Sequence, residues 1–378
     1  MGVLKVKVGG QWVDIGSGMP LYSGRNLLDN GQHAVKQRSI VTTPLTGAVL
    51  LADRWVVTNT GIGVTSLNYI ATSSFAPVPA GRPRPGNIQY IHTSTAEAAG
   101  SLAAGDNLQW SQAVEGQNVQ HLNWGTPEAL PLTYSFDIYS PIATTYAVEL
   151  VHFETTPRSI SSLITVPVGF STQVVTFPGD TAAPITNDSA ARLFANVWLG
   201  AGANYAGGTL LTSWGTLVQA NRAVGISNAF AATVGNQFAL VNCQLEVGAQ
   251  ATPYEVVRYD DDLYRCMRYF ERFDSSNQAS FTYFGAGQAY STNAALIPIR
   301  YRVEKRANPT IVHSTGNTFG LLNASATVIA CTGVSSGSVN RFGYTASAVV
   351  ASGLVIGNAA GFLSNNVTTA SIEISAEI

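Results

Sequence analysis

The sequence has 378 residues, and only 11% of them are charged: 20 Lys and Arg against 22 Asp and Glu. Soluble domains usually carry about 25% charged residues, so Ser, Thr, Asn, Gln and Gly must solvate most of this surface. The 46% of hydrophobic residues suffice for a large core, which excludes a disordered chain. So few charges also indicate that other subunits cover part of the surface, and we expect an oligomer.

The charge distribution argues against nucleic acid as a partner. The segment 85–157 contains acidic residues but no Lys or Arg, whereas binding to a phosphate backbone needs clustered cations. No run of about 18 apolar residues is present, so we expect no membrane insertion. The first residues lack the apolar stretch of a secretory signal, which predicts a protein that is assembled in a cytoplasm.

The N-terminal residues predict a β-hairpin. Alternating apolar residues flank Gly9-Gly10, and two glycines between such runs are typical of a tight turn. A lone hairpin is barely stable in water, so we expect it to dock on another surface. We assign residues 1–22 to a docking hairpin with its linker, and the docking contacts to Val6, Val8, Trp12 and Ile15.

Period-two alternation dominates the body of the chain. Within 132–139 apolar and polar residues alternate strictly, which is the pattern of a half-buried strand. Other short segments rich in β-branched or aromatic residues lie between turn residues, at 146–153, 163–168, 173–177, 193–199 and 238–247. No helix of crossover length separates them, so the sequence predicts an all-β fold, an antiparallel jelly-roll sandwich over residues 23–272.

One segment departs from this alternation and predicts a short helix near 260–272. Three Asp residues occupy positions that favour a helix N-terminus, and apolar residues then recur at helical spacing: Leu263, Cys266, Met267 and Phe270. The Asp run lacks the spaced ligands of a calcium loop, so we interpret it as helix capping. We place a domain boundary near Phe273 and a small C-terminal β domain over 273–378.

The sequence offers no convincing catalytic or metal site, and we expect no enzyme activity and no cofactor. The segment 333–337 matches G-x-S-x-G, but no helical pattern follows it as a nucleophile requires, so we interpret it as a β-turn. The five histidines are scattered, and His152 lies on a predicted strand as a structural histidine. Cys243, Cys266 and Cys331 are far apart and unsuited to a zinc site, so we expect buried thiols.

Aromatic and amide side chains are the strongest candidates for binding. A sugar ring presents an apolar face and a fringe of hydroxyl groups, so it suits an aromatic ring flanked by amides. The segment 109–124 has this composition. The candidate glycan-binding residues are Gln109, Trp110, Gln120, Asn123, Trp124 and Trp214. The competing interpretation, that Trp110 and Trp198 are core residues of the sandwich, stays open.

Four stretches of the chain resemble a known family, the tailed-bacteriophage fibre and minor tail proteins that contain a carbohydrate-binding-module-like jelly roll. The opening of that module is similar to Arg25–Gly31 together with Ala52–Trp55, and its strand pair is similar to Leu132–Tyr139 with Thr145–His152. Its FPGDT turn is similar to Phe177–Thr181, and its closing signature to Cys243–Glu255 with Leu263–Phe270. The resemblance spans residues 25–272. The hairpin Val3–Ile15 is also similar to the opening of phage tail proteins.

The resemblance implies a virion protein without catalysis. It implies a homotrimer, an N-terminal piece that docks on other virion proteins, and a distal part that contacts the bacterial surface. Combined with the aromatic segment, it predicts a tail or head fibre or spike that recognises a host-surface polysaccharide.

Two other functions are compatible with these residues. The first is a head or tail decoration protein with a purely structural role and no receptor binding. The second is a depolymerase tailspike, which we rank last because the sequence shows no repeating pattern of a parallel β-helix.

Overall fold

A computed structural model of the chain describes residues 5–8, 11–14, 24–38, 46–50, 52–71, 78–93, 102–277 and 281–377. Two compact units account for them. The first comprises Met1–Ala34, Ile40–Leu51 and Trp55–Val257, and the second comprises Val35–Ser39, Ala52–Arg54 and Arg258–Ile378. The predicted domain limits, 1–22, 23–272 and 273–378, stay a prediction.

The N-terminal hairpin forms as predicted. Strand β1 (Lys5–Val8) pairs antiparallel with β2 (Gln11–Asp14), and Val8 lies opposite Gln11.

Strands and short helices make up the rest of the first unit. The strands are β3 (Gly47–Leu50), β4 (Val56–Thr60), β5 (Val64–Ala71), β6 (Asn87–Thr93), β7 (Asn107–Glu115), β8 (Leu132–Ser140), β9 (Thr144–His152), β10 (Arg158–Val166), β11 (Gly169–Phe177), β12 (Ala191–Ala201), β13 (Gly215–Thr216) and β14 (Gln237–Val247). The helices are α1 (Ala203–Ala206) and four 3₁₀ turns at Gly116–Asn118, Gln120–Leu122, Gln219–Asn221 and Ala229–Ala232.

The strands form two antiparallel sheets with jelly-roll connectivity. One sheet has seven strands in the order β13-β10-β9-β12-β7-β4-β3, and the other has five in the order β11-β8-β14-β6-β5. Among β6–β12 and β14, each strand lies in the opposite sheet from its predecessor, except that β10 follows β9 in the same sheet. This alternation is that of a jelly roll, which confirms the predicted all-β fold.

Aromatic side chains fill the space between the two sheets. The ring centroids of Trp110 on β7 and Tyr146 on β9 lie 5.8 and 5.5 Å from that of Phe238 on β14. All three side chains are buried. Each contributes roughly 1.5–3 kcal/mol through its burial, so these residues anchor the sandwich.

Strand β8 differs from its sequence pattern. The alternation predicts one solvated face, but Thr133, Ser135 and Asp137 are buried as well. Asp137 accepts hydrogen bonds from Arg82 Nε at 2.9 and 3.0 Å and from Asn242 Nδ2 at 2.6 Å. The polar face of β8 is therefore covered by other parts of the first unit, which pair its carboxylate.

The second unit contains a helix, a small sheet and a barrel. Its elements are α2 (Tyr259–Met267), β15 (Phe270–Asp274), β16 (Tyr283–Ala289), β17 (Ala294–Arg300), β18 (Thr310–His313), a 3₁₀ turn at Gly316–Thr318, β19 (Phe319–Leu322), β20 (Val328–Gly337), β21 (Gly343–Val350), β22 (Ala359–Ser364) and β23 (Ser371–Ser375). The three-stranded sheet has the order β15-β23-β18, and the closed barrel has the order β16-β17-β21-β20-β19-β22. Phe319 and Phe362 stack inside the barrel, with ring centroids 5.0 Å apart.

The predicted helix is confirmed, although it ends earlier than expected. It stops at Met267, and Phe270 pairs with Ser375 as β15 joins the small sheet. The three Asp residues lie in the first helical turn, after the N-cap residue Arg258, where their carboxylates interact favourably with the helix dipole. No helix in the described part of the chain is long and apolar enough to cross a membrane.

Two further predictions concern reactive residues. The β-turn predicted at 333–337 is wrong, because these residues lie at the end of β20 and pair with β21. A strand in this ladder cannot present a nucleophile on a strand-to-helix turn. The three cysteines are free and buried, as predicted.

Candidate functional site

A polar pocket lies on the outer face of the seven-stranded sheet, on the side away from the core. Its volume is about 840 Å³. Strands β4 and β7 supply one side, and the segment between β12 and β14 supplies the other. The lining residues are Thr58, Thr60, Asn107, Gln109, Ala203, Asn204, Tyr205, Val218, Gln219, Ala220 and Arg222. We call it the sheet pocket.

The sheet register explains why these side chains meet. Thr58 lies opposite Gln109, and Gln109 lies opposite Trp198 on β12. Cross-strand partners point to the same face of a sheet, so the three form one row below the pocket. Ser111 and Asn196 on the next row lie opposite each other in the same way, and Asn196 lies opposite Glu149 on β9.

A buried carboxylate organises this face. Glu149 is fully buried and accepts hydrogen bonds from Asn196 Nδ2 and Trp198 Nε1, each at 2.9 Å. Arg222 donates to both of its oxygens, through Nε at 2.9 Å and Nη2 at 2.8 Å. A bidentate pair of this kind holds the guanidinium in one orientation, so Arg222 forms a fixed wall of the pocket.

Aromatic rings continue that wall. The guanidinium of Arg222 lies over the Trp198 ring, 4.8 Å from its centroid. The half-buried ring of Tyr205 packs against Trp198 at 5.4 Å, and Asn107 Nδ2 donates to the Tyr205 hydroxyl at 3.3 Å. Tyr205 is therefore a positioned aromatic side chain at the edge of the pocket.

The pocket also contains amide oxygens that make no internal hydrogen bond. Among the described residues, Gln109 Oε1 and Asn107 Oδ1 are buried without a hydrogen-bond partner. A buried acceptor without a partner is costly. A ligand that donates a hydrogen bond to these amides, after a small rotation of the side chain, removes that cost.

Of the predicted glycan-binding residues, the structure places Gln109 in the sheet pocket and its neighbour Trp110 in the core. Trp110 is fully buried and stacks on His33, with ring centroids 5.5 Å apart. Successive residues of a strand point to opposite faces. Gln109 and Trp110 therefore cannot belong to one surface site.

The other predicted aromatic residues lie elsewhere in the first unit, in a closed cluster. Trp124 packs edge-on against Trp214 at 5.0 Å and lies 5.6 Å from the His152 ring. Both indole nitrogens donate to backbone oxygens, Trp124 to Leu130 and Trp214 to Pro178. We call Trp124, His152, Asp180 and Trp214 the Trp124 cluster. The indole nitrogens of Trp124 and Trp214 are therefore used internally.

The two predicted polar residues near Trp124 have local roles. Gln120 Nε2 donates to the backbone oxygens of Gly116 and Ile185. Asn123 adopts a left-handed conformation, with φ of 54°, at the end of a 3₁₀ turn. Neither lines the sheet pocket, and a glycan-binding role for these residues stays a prediction.

His152 is the buried histidine of the Trp124 cluster, as its strand position predicts. Its Nδ1 lies 3.5 Å from Asp180 Oδ2, which also accepts a hydrogen bond from Arg158 Nε at 2.6 Å. Burial lowers the pKa of His152 below its usual value, while the Asp180 carboxylate acts in the opposite direction. This arrangement ties the 178–182 turn to β9 and β10.

The candidate docking residues are only partly described. Val6, Val8 and Trp12 lie in the paired strands of the hairpin, and Ile15 lies outside the described residues. Their docking role stays a prediction.

Sequence reasoning missed most of the pocket. Tyr205 and Arg222 come from the segment that follows β12, which has no strand alternation. Thr58 and Asn107 are unremarkable in sequence. No local signal identifies them, because the sheet register and the folding of the 203–227 segment bring them together.

Comparisons with known proteins give only distant structural matches. No family model matches the chain, and no curated protein matches it. A match to the enzymatically active domain of tailspike protein 4 of bacteriophage CBA120 has 14% identity and a TM-score of 0.32, and covers 59% of this chain and 22% of that one. The carbohydrate-binding module TmCBM61, solved with β-1,4-galactotriose, has 11% identity and a TM-score of 0.28, with 59% and 99% covered.

A third match, to a family 11 carbohydrate-binding module from Clostridium thermocellum, has 13% identity and a TM-score of 0.26. It covers 55% of this chain and 99% of that one. Matches of this strength carry no argument about function.

Proposed function

We propose that the first unit is a non-enzymatic carbohydrate-binding domain, and that the sheet pocket is its binding site. The observation that carries the proposal is the position of Tyr205, held between Trp198 and Asn107 beside the unpartnered amide oxygen of Gln109. An aromatic ring contacts the apolar face of a sugar, and amides and hydroxyl groups contact its equatorial hydroxyls.

The size and surroundings of the pocket support this assignment. A volume of about 840 Å³ lies within the range of sites for small ligands, roughly 300–1,000 Å³. Its polar side chains stand on a rigid sheet or are held by Glu149, so a ligand meets groups that are already in place. Preorganised groups lose little conformational entropy when a ligand binds.

The test is a glycan array with the purified full chain. We expect at least one oligosaccharide to bind, and Tyr205→Ala to weaken that binding by about tenfold or more through loss of the aromatic contact. Tyr264→Ala is the matched control, because Tyr264 is an exposed tyrosine on α2 of the second unit. No binding by the unmodified protein, or equal loss in both variants, would contradict the proposal.

The family resemblance extends the proposal to a bacteriophage fibre or spike that recognises a host-surface polysaccharide. In this proposal the chain is part of the virion, and its N-terminal hairpin docks on other virion proteins. Deleting residues 1–15 should leave a folded protein that no longer joins the particle. Incorporation of the truncated protein would contradict the docking role of the hairpin.

We also propose a homotrimer, and the surface of the second unit supports subunit contacts. Large hydrophobic side chains are exposed there: Phe281, Tyr283, Tyr290, Leu296, Val312, Phe342, Val355 and Ile356. No charged residue occurs between positions 307 and 340. Exposed apolar surface with few charges is typical of interfaces.

Light scattering tests the trimer directly. We expect three times the 39.8 kDa mass of one chain, and a lower mass for Ile356→Lys, because a charge at an apolar interface must be desolvated. Val234→Lys is the control, since Val234 is an exposed valine of the first unit. The mass of a single chain for the unmodified protein would rule out the trimer.

A further inference from the structure

We infer that the sheet pocket selects neutral saccharides and discriminates against acidic ones, such as uronic-acid or sialic-acid polymers. This inference rests on the proposed function and names the chemical class of its ligand. It follows from the charges that line the pocket and from the way in which they are already paired.

Arg222 is the charged residue among those that line the pocket, and three of its five N–H groups already donate to side chains of the protein. Nε and Nη2 both donate to the Glu149 carboxylate, and Nη1 lies 3.3 Å from Gln219 Oε1. A sugar carboxylate that takes the bidentate position on the guanidinium must displace Glu149 from it. This exchange contributes little binding free energy, since one carboxylate replaces another on the same guanidinium.

Glu149 also remains as a buried negative charge below the pocket. It is fully buried, and its pairing with Arg222 leaves the two residues with no net charge. An acidic ligand that displaced Arg222 would leave this carboxylate without its counter-ion. An unpaired buried charge is strongly unfavourable, so the arrangement opposes anions.

The remaining polar groups suit hydroxyl groups. Gln109 Oε1 and Asn107 Oδ1 need hydrogen-bond donors, and a carboxylate has none. A sugar hydroxyl both donates and accepts, so it can satisfy these amides together with the hydroxyls of Thr58 and Tyr205. The pocket therefore presents unsatisfied acceptors beside a cation that Glu149 already neutralises, which is the pattern for a neutral polyol.

The test compares neutral oligosaccharides with the same compounds after oxidation of the C6 hydroxyl to a carboxylate. Both forms are printed on one array with naturally acidic polysaccharides. For a neutral ligand whose binding depends on Tyr205, we expect the oxidised form to bind about tenfold or more weakly, because its carboxylate is desolvated beside a guanidinium that Glu149 already neutralises. The inference would be overturned if the acidic form bound equally well or more tightly and the Tyr205→Ala variant lost that binding. The proposed function would then still hold.

A second variant tests the charge argument without disturbing Glu149. Gln219→Lys adds a cation at the pocket rim in place of the amide that accepts from Arg222 Nη1, since Gln219 is exposed and lines the pocket. We expect acidic glycans to gain about threefold in affinity at low salt. Gln250→Lys makes the same change at an exposed site outside the pocket and should have no effect.

The outcomes separate the two proposals. Binding of no saccharide at all overturns the proposed function and this inference together. The inference alone is overturned if binding depends on Tyr205 but neutral and acidic ligands bind equally well. In that case the Gln219→Lys and Gln250→Lys variants also have the same affinity for acidic glycans.

Discussion

Two groups of residues in the first unit combine aromatic rings with a buried carboxylate, but differ in what their polar groups contact. In the sheet pocket, Tyr205 and Gln109 stand beside open space, above a Glu149–Arg222 pair. In the Trp124 cluster, Trp124 and Trp214 pack on each other, and their ring nitrogens donate to backbone oxygens. The sequence indicated Trp124 and Trp214 as binding residues and missed most of the sheet pocket, whereas the structure leaves space beside Tyr205 and uses both indole nitrogens internally.

The comparison shows what makes an aromatic residue available to a ligand. Trp124 is only 4% exposed, so its indole stabilises the fold. Tyr205 has one face against Trp198 and is half-buried, so part of its ring stays accessible. The following changes test this difference, in decreasing order of expected effect.

Trp124→Ala should destabilise the protein by about 3–5 kcal/mol, the usual cost of removing a buried aromatic side chain. Chemical denaturation of the full chain measures this loss. Saccharide binding by the fraction that stays folded should match that of the unmodified protein. A loss of binding without a loss of stability would mean that the Trp124 cluster is itself a ligand site.

Glu149→Gln should destabilise the first unit by about 2–4 kcal/mol, because it leaves Arg222 and its neighbours without their common carboxylate. It should also weaken saccharide binding, since the Arg222 wall is no longer held. Glu154→Gln is the control, because Glu154 forms its ion pair with Arg192 outside the pocket. Equal stability of both variants in denaturant titrations would show that Glu149 does not organise this face.

The free energy of unfolding should decrease as the pH falls, because of His33. Complete burial lowers the pKa of His33 to about 3, from an ordinary value of 6.5. The unfolded chain therefore takes up a proton below about pH 6.5, while the folded chain does not until about pH 3. Between these values His33 lowers the free energy of unfolding by about 1.4 kcal/mol for each unit by which the pH falls.

At pH 5 this amounts to about 2 kcal/mol relative to pH 7. The measurement is the urea midpoint as a function of pH, in the unmodified protein and in His33→Asn. Asn tolerates the left-handed backbone at this position, where φ is 56°. An unchanged pH slope in the variant would contradict the assignment to His33.

Gln109→Ala should have the smallest effect, a loss of about 1 kcal/mol in saccharide binding, from one hydrogen bond. Its folded stability should not decrease, because the substitution removes an amide oxygen that is buried without a hydrogen-bond partner. Calorimetric titration measures the first quantity and thermal unfolding the second. A large loss of stability would show that Gln109 belongs to the core side of β7, with Trp110.

Much of the fold follows from the sequence, because period-two alternation and turn residues act locally. The segments 146–153 and 238–247 predict β9 and β14 within a few residues, and the glycine pair predicts the hairpin of β1 and β2. The helix near 260 is also predicted, although the pairing of Phe270 with Ser375 ends it sooner. That pairing joins residues far apart in the chain, and no local pattern contains it.

The candidate site is formed by residues that are far apart in the sequence, so local patterns did not predict it. Sequence indicated that Gln109 and Trp110 share a polar, aromatic segment, but the strand alternation sends them to opposite faces. Only the register of β4, β7, β12 and β9 brings Thr58, Gln109 and Glu149 to one surface. The segment after β12 then adds Tyr205 and Arg222. The sequence by itself determined the strands and their apolar faces, while tertiary structure decided which polar side chains meet, because hydrogen bonds and ion pairs depend on distances that sequence spacing does not set.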